Sequence, residues 1–212
     1  MRLPRRFYAR PTLEVAPDLL GKVLVHRSPT GLTSGVIVEV EAYVGEEDPA
    51  CHAAPGPTKR NAPMYGSPGH AYVYLNYGVH YLVNVVTEPK LSPAAVLIRA
   101  LAPLEGIDLM RRRRLRSRAR RSRTPAAPIP DHALCKGPGN VTRAMGITLK
   151  DTGIDLLGDK LYIENRGHRV DRIVWSPRIG ISVGTDHPWR CFAHGHLSVS
   201  GSSVAKKFCQ VL

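Results

Sequence analysis

"SGVIVEVEAYVG", residues 34–45, is the stretch that most clearly indicates the fold. Its apolar and polar residues alternate with the period of two that puts successive side chains on opposite faces of a β-strand. One predicted face carries Ile37, Glu39, Glu41 and Tyr43, and the other carries Val36, Val38, Val40 and Ala42. We expect the valines to face the core, and Glu39 to lie on the water-facing side of the strand.

Further β-rich segments follow this strand along the chain. "AYVYL" (71–75) and "HYLVNVV" (80–86) flank "NYG" as a predicted hairpin, and "AAVLIRAL" (94–101) is a short buried strand. Later strand candidates are "DKLYIEN", "IVWSPRIGISVG" and "LSVSG". Because the chain has neither a repeat nor a βαβ rhythm, we predict an α+β fold. This fold is a single mixed domain, a curved antiparallel β-sheet with surrounding helices and a protruding β-hairpin.

The net charge of +13, with a pI near 10, indicates an anionic partner. Nine arginines and no acid occupy "RRRRLRSRARRSR", residues 111–123, which leaves 13 − 9 = +4 for the rest of the chain. We predict one domain over residues 1–212, with a basic helix/loop insertion around 111–130 and a mobile loop near 124–130. A domain boundary near 120–130 is the alternative. A solvated face is the other interpretation of the charge run, but we favour contact with DNA or RNA.

Several protein classes are disfavoured by the composition. No run approaches the 18 apolar residues of a membrane-spanning helix, and the basic start "MRLPRRFYAR" lacks the apolar segment of a secretion signal. The four cysteines form no CxxC pair, so we expect free thiols rather than a zinc site. We therefore expect an intracellular protein, in the cytoplasm or nucleoid if bacterial and in the nucleus if eukaryotic.

Glu41 is the first candidate for chemistry, because its predicted strand ends near other reactive side chains. Tyr43 lies on the same face, and His52 follows in the loop "YVGEEDPACHA". A carboxylate, an aromatic ring and an imidazole that converge there fit either metal-assisted phosphodiester hydrolysis or a carboxylate base that activates water. The consecutive acids at 46–48 point in diverging directions, which disfavours a metal site.

Three other residues interrupt the expected patterns. Tyr77 lies between the turn residues of "NYG", where its exposed ring resembles a wedge between stacked bases. Asn84 is the single polar side chain in "YLVNVV", so it either bonds to backbone or faces a ligand. Arg99 is the single charge in "AAVLIRAL" and must pair with a carboxylate such as Glu41 or with a phosphate.

Successive blocks of the chain resemble the alkyladenine (3-methyladenine) DNA glycosylase family, the type shared by bacteria and animals. These blocks are "VEVEAYVGEEDPACHA", "KRNAPMYGSPGHAYVYLNYGVHYLVNVV", "AAVLIRALAPLEG", "LCKGPGNVTRAMGI", "SPRIGIS" and "PWRCF". The likeness runs from about residue 7 to about residue 201. It implies a monofunctional hydrolase that flips alkylated or deaminated purines out of duplex DNA and cleaves their N-glycosidic bond, which starts base excision repair.

The resemblance also implies roles for individual residues. Glu41 matches the general base that activates water, and Arg99 matches the arginine that helps to hold this water and a nearby phosphate. Tyr43, His52 and Tyr74 match the pocket around the flipped base. Asn84 matches the side chain that obstructs the amino group of guanine, and Tyr77 matches the residue inserted into the gap. Tyr72 and Tyr81 are assigned to packing.

The resemblance implies neither a cofactor nor a metal, and no lysine in the pocket blocks is expected to act as the amine nucleophile of a lyase step. The expected partner is duplex DNA that contains damaged purines, without a membrane, and the expected state is a monomer. Lys59 and Arg60 are candidate phosphate contacts, although this stretch is richer in proline than the family pattern. Arg111, Arg112, Arg113 and Arg114 are further candidates on charge alone. A non-catalytic nucleic-acid-binding protein is the alternative function.

Overall fold

The computed structural model describes residues 1–119 and 128–201. Within these residues, eight antiparallel strands form one curved sheet and four α-helices pack around it, as the α+β prediction requires. The strands are β1 (Val23–Ser28), β2 (Gly31–Val44), β3 (Ala71–Asn76), β4 (His80–Val86), β5 (Ala94–Glu105), β6 (Leu161–Glu164), β7 (Ile173–Ser176) and β8 (Arg190–Ala193). The helices are α1 (Arg5–Tyr8), α2 (Thr12–Leu19), α3 (Ile107–Ala119) and α4 (Pro138–Met145).

β2 is the central strand of the sheet, whose order is β3-β4-β5-β2-β1-β6. β5 pairs along most of one edge of β2, while β1 and then β8 share the other edge. β7 pairs with β8, and β3 and β4 form the predicted hairpin. The later part of β2, which carries Glu41, is therefore surrounded by β5, β8 and the loops beside them.

A bulge in β2 changes which side of the sheet its side chains occupy, so part of the predicted pattern of faces is wrong. The register against β5 shifts on both sides of Glu39, so that Val38 has no partner of its own. Such an extra residue reverses the alternation. Ile37 consequently packs in the main core with Val40 and Ala42, whereas Val38 joins a second cluster with Phe192.

The main core lies between the sheet and the helices. α2 packs on β2 and β5, and α4 packs on β4 and β5. α4 begins at Pro138, because proline suits the first turn of a helix. α3 packs on α4 and begins after Gly106, whose φ of 73° and close approach to the Leu32 carbonyl exclude a side chain.

Other sequence expectations have mixed outcomes. "IVWSPRIGISVG" is a strand only over β7, and "LSVSG" forms no strand. Cys51, Cys135 and Cys191 are buried free thiols, as expected, and Cys209 lies outside the described residues.

The predicted basic loop is described only from residue 128 onward, so residues 120–127 of this insertion lie outside the described part. No helix in residues 1–119 and 128–201 is long and apolar enough to cross a bilayer.

Candidate active site

A cavity of about 390 Å³ opens where β3, β4 and β5 meet the end of β2. Pro138, at the start of α4, and residues 179–181 complete its wall. Its lining includes aromatic and polar side chains from distant parts of the chain: Tyr43, His52, Tyr72, Tyr74, Asn84 and Arg99. Tyr77 also borders the cavity, so the fold brings six of the predicted site residues, and Tyr72, which was assigned to packing, to a single cavity.

The aromatic wall is built from β3 and the loop that follows β2. The ring of His52 lies 4.3 Å from the ring of Tyr74, centroid to centroid, at 69°. The rings of Tyr72 and Tyr74 lie 5.5 Å apart on the face of β3 opposite Val73. Tyr72 was predicted to pack in the core, and this was incomplete because it also lines the cavity. Its spacing of two residues from Tyr74 already indicated a shared face.

Titratable groups in the aromatic wall are held in their neutral forms. Burial, helped by the positive charge of Arg60, lowers the pKa of His52 to about 4. The Nδ1 atom of His52 lies 2.9 Å from the hydroxyl of Tyr72, whose pKa burial raises to about 12. Burial also raises the pKa of Tyr43 and of Tyr74. At neutral pH the cavity therefore offers an uncharged imidazole and phenol groups.

Glu41 lies fully buried behind this wall, and each of its oxygens accepts hydrogen bonds. Oε1 accepts one from the backbone N–H of Ile179 at 2.7 Å. Oε2 accepts from the Tyr43 hydroxyl at 2.9 Å and from Nη1 of Arg99 at 3.1 Å. Three donors from three parts of the chain consequently fix the carboxylate beside the cavity.

Arg99 connects Glu41 to a second glutamate. Its Nε donates to Oε1 of Glu39 at 3.0 Å, while its Nη1 reaches Glu41 and lies 3.5 Å from the carbonyl of Ile179. Burial opposes the charge of Arg99, but Glu41 and Glu39 outweigh it and raise its pKa. The prediction that Arg99 pairs with a carboxylate such as Glu41 is confirmed.

Glu39 was expected to face water, and this was wrong. It is fully buried, with Arg99 on one side and Nε of Arg190 at 2.7 Å on the other. The backbone N–H and the hydroxyl of Ser200 also donate to it, at 2.7 and 2.8 Å. Its partners lie 60 to 161 residues away in the sequence, so a local pattern could not reveal them.

Asn84 bonds to the backbone, one of the two possibilities that its sequence context left open, and it also lines the cavity. It is buried on β4, and its Nδ2 donates to the backbone carbonyl of Tyr72 at 3.0 Å. The same side chain lines the cavity. The cross-strand hydrogen bond fixes its orientation, so that it narrows the cavity at a defined place.

Tyr77 lies at the tip of the β3–β4 hairpin with 83% of its surface exposed, as predicted. The N–H of Val79 closes the turn on the carbonyl of Asn76, and Tyr77 adopts a φ of 47°. Glycine or asparagine is more favourable at this angle, so the turn retains a bulky ring in an unfavourable conformation. Since Tyr77 also borders the cavity, this unfavourable backbone points to a functional ring.

Lys59 and Arg60 lie in the exposed loop that follows His52. Nη2 of Arg60 donates to the carbonyl of Leu75 at 3.3 Å, and its guanidinium lies 5.5 Å from the centroid of the Tyr74 ring. The amide of Asn61 anchors the loop through the carbonyl of His52, at 2.7 Å. The N–H of His52 itself meets no acceptor in residues 1–119 and 128–201.

The arginines of α3 divide into those bonded within the protein and those facing solvent. Arg111 pairs with Asp108 and Asp131, while Arg113 donates to the carbonyl of Ala144 and to two hydroxyls of the β1–β2 turn. Arg114 is buried and donates to the carbonyls of Ala133 and Leu134. Arg112 and Arg116 are exposed. Contact between these arginines and nucleic acid stays a prediction.

Two of the three acids in the loop after β2 are bonded within the protein. Asp48 is buried against Arg178, and Glu46 accepts a hydrogen bond from Tyr65 at 2.7 Å. Within the described residues, no three His, Cys, Asp or Glu side chains are grouped so that they could hold a metal ion.

Comparisons with known proteins point to one family. The sequence model for methylpurine-DNA glycosylase (MPG) matches residues 6–197. A relative from Methanocella arvoryzae is 50% identical over 194 residues, which cover 90% of this chain and 91% of the relative. A relative from Chlorobaculum parvum is 43% identical over 97% of this chain and 95% of its own length. Both carry the provisional name 3-methyladenine DNA glycosylase.

Proposed function

The chain belongs to the methylpurine-DNA glycosylase family, and from this premise we propose how it releases a damaged purine from DNA. Enzymes of this family are hydrolases of N-glycosidic bonds, and damaged DNA is their substrate. We propose that this enzyme flips the purine into the 390 Å³ cavity, where water activated by Glu41 displaces it. The observation that carries the proposal is the buried Glu41–Arg99 pair directly behind an aromatic cavity.

The flipped purine would stack against the aromatic wall. The rings of Tyr43, His52 and Tyr74 offer flat apolar surfaces, and tyrosine faces also attract a base that carries positive charge from alkylation. The N–H of His52, which meets no acceptor among the described residues, can donate to an acceptor on the purine edge. Asn84, held by the carbonyl of Tyr72, would obstruct the exocyclic amino group of a normal guanine.

Hydrolysis would begin as the bond between the purine and C1′ of the sugar lengthens. The departing purine takes the electron pair of that bond, so a cationic alkylated purine leaves as a neutral molecule, whereas neutral hypoxanthine leaves as an anion that takes up a proton from solvent. The sugar acquires positive charge that a nearby carboxylate stabilises. Glu41 Oε2 and Arg99, together with the Ile179 carbonyl, could hold the attacking water. As the water oxygen bonds to C1′, Glu41 accepts its proton.

This reaction draws on water and on side chains of the protein, without a cofactor. No lysine lines the described part of the cavity, so we propose that the enzyme is monofunctional and lacks a lyase step. Alkylated adenine, hypoxanthine and ethenoadenine are the proposed substrates. Outside the cavity, Tyr77 would fill the gap left in the duplex, and Lys59, Arg60 and Arg112 would contact phosphates.

The substitution Glu41→Gln tests the proposal, because it preserves the size of the side chain and removes the base. We expect the single-turnover rate of base release from duplex DNA containing hypoxanthine or ethenoadenine to fall by roughly 10²- to 10⁴-fold. The assay detects abasic sites in the presence of EDTA. Glu47→Gln, which changes an exposed acid of the neighbouring loop, is the matched control and should retain the wild-type rate.

Other outcomes separate the competing functions. DNA binding without base release, by wild type and variant alike, would indicate a binding protein that does not catalyse hydrolysis. Strand cleavage that requires an added divalent metal would instead indicate a nuclease. Base release that survives Glu41→Gln would show that another group activates the water.

A further inference from the structure

Arg178 is a buried arginine outside the cavity lining that touches two elements of the site. Its guanidinium forms a two-pronged ion pair with Asp48, with contacts of 2.5 and 2.8 Å. It also donates to the carbonyl of Ala42 at 3.0 Å and to that of Gly184 at 3.3 Å. Burial opposes its charge, but the hydrogen bonds and the charge of Asp48 outweigh this and raise its pKa.

The same guanidinium lies over two aromatic rings. Its central carbon is 4.7 Å from the centroid of the Tyr43 ring and 5.1 Å from that of Trp189. The ring of His187 stacks on Trp189 at 4.1 Å and only 7° from parallel. The guanidinium therefore supports the Tyr43 ring through a cation–π contact, and Trp189, which is stacked on His187, contacts the same guanidinium.

Arg178 is also connected to both oxygens of Glu41. The hydroxyl of Tyr43, whose ring it supports, donates to Oε2. The N–H of Ile179, the next residue in the chain, donates to Oε1. Two of the three hydrogen bonds that fix Glu41 therefore depend on groups that Arg178 holds in place, and Arg99 supplies the third.

We propose that Arg178, anchored by Asp48, is a positioning residue that sets the geometry of the Glu41 carboxylate and of the Tyr43 ring. This inference rests on the proposed function, because positioning matters only if Glu41 acts on a base stacked against Tyr43. It assigns the role to the planar shape of the guanidinium as well as to its charge. A lysine could pair with Asp48, but its single ammonium group could not place a planar cation over Tyr43 while also reaching the carbonyls of Ala42 and Gly184.

Arg178→Lys tests this role, and Asp48→Asn tests it independently should the lysine variant fail to fold. In folded variants, we expect single-turnover base release from hypoxanthine-containing duplex to fall by about 10- to 100-fold, since small misplacements of reacting groups have effects of this size. Binding to duplex that contains a tetrahydrofuran abasic analogue should change less than about 2-fold, because it needs no base in the cavity. Arg5→Lys is the control, since Arg5 pairs with Asp155 and bonds to the carbonyl of Pro68.

The split between base release and abasic-site binding distinguishes positioning from general loss of structure. A fall in base release alone supports the inference. Equal falls in both measurements, a fall of the same size in Arg5→Lys, or a wild-type rate in Arg178→Lys would overturn it. Wild-type enzyme is assayed alongside, so that its failure to release the base would overturn the proposed function itself.

Discussion

The end of β2 and the helix α3 both concentrate arginine, but they use it in different ways. Near β2, Arg99 and Arg190 share the buried Glu39, and Arg178 pairs with the buried Asp48. On α3, the arginines bond to exposed aspartates, hydroxyls and backbone carbonyls, or face solvent. A single arginine within an apolar strand therefore indicated a buried ion pair at the site, whereas the run of arginines combined structural contacts with surface charge.

Burial explains why the two regions should respond differently to substitution. Removing one partner of a buried ion pair leaves the other charge unpaired, which typically costs about 3–5 kcal/mol. An exposed ion pair contributes about 0–1 kcal/mol, because water screens both charges. The β2 region should therefore determine stability and geometry, and α3 should contribute to the attraction of polyanions.

The largest effect should come from Glu39→Gln, which leaves Arg190 without a carboxylate partner among the described residues. We expect the free energy of unfolding to fall by about 3–5 kcal/mol. For a chain of this length, that corresponds to a melting temperature roughly 6–20 °C lower, measurable by calorimetry. Asp108→Asn on α3 is the control, because Asp108 also pairs with an arginine but is almost fully exposed. Similar losses of unfolding free energy in the two variants would contradict the idea that buried ion pairs near β2 stabilise the protein more than exposed pairs on α3.

The sequence predicted which residues lie together at the cavity better than it predicted the details of the strands around them. Glu41, Arg99 and Tyr43 were identified because alternation and an isolated charge are local signals. The facing of Ile37 and the burial of Glu39 were not, because a bulge and partners from β5, β8 and the segment near Ser200 decide them. Contacts that join distant segments leave no local pattern in the sequence.

The segment 177–184 shows the same limitation. Its apolar alternation favoured a strand, yet Pro177 has no N–H for strand pairing and Gly180 adopts a φ of 81°. The resulting loop brings the N–H of Ile179 to Glu41 and the side chain of Arg178 to Tyr43. Both residues contribute to the site because the segment is not a strand, so the wrong prediction concealed them.

Tyr77→Ser should have an intermediate effect, because Tyr77 is exposed like Arg112 and Arg116 but is proposed to fill the gap that the flipped base leaves in the duplex. We expect binding to damaged duplex, and base release from it, to weaken by about 1–3 kcal/mol, the size of one base–aromatic stack. Tyr77→Phe keeps the ring and should behave like wild type. Single-stranded DNA has no gap to fill, so base release from it should change less. Unchanged base release from duplex in Tyr77→Ser would contradict the wedge role.

The smallest effect should come from the exposed face of α3, where Arg112 and Arg116 lie one helical turn apart. If both neutralise phosphates, Arg112→Ser/Arg116→Ser should lower the slope of log affinity against log salt concentration by about 1.8, because each neutralised phosphate contributes about 0.9. Arg111→Ser/Arg113→Ser removes the same charge from the same helix, but these side chains are bonded within the protein and should alter the slope less. Binding titrations over a range of salt concentrations measure both slopes. Equal slopes for the two pairs would mean that α3 acts through its net charge, and that the division between bonded and exposed arginines has no consequence for DNA binding.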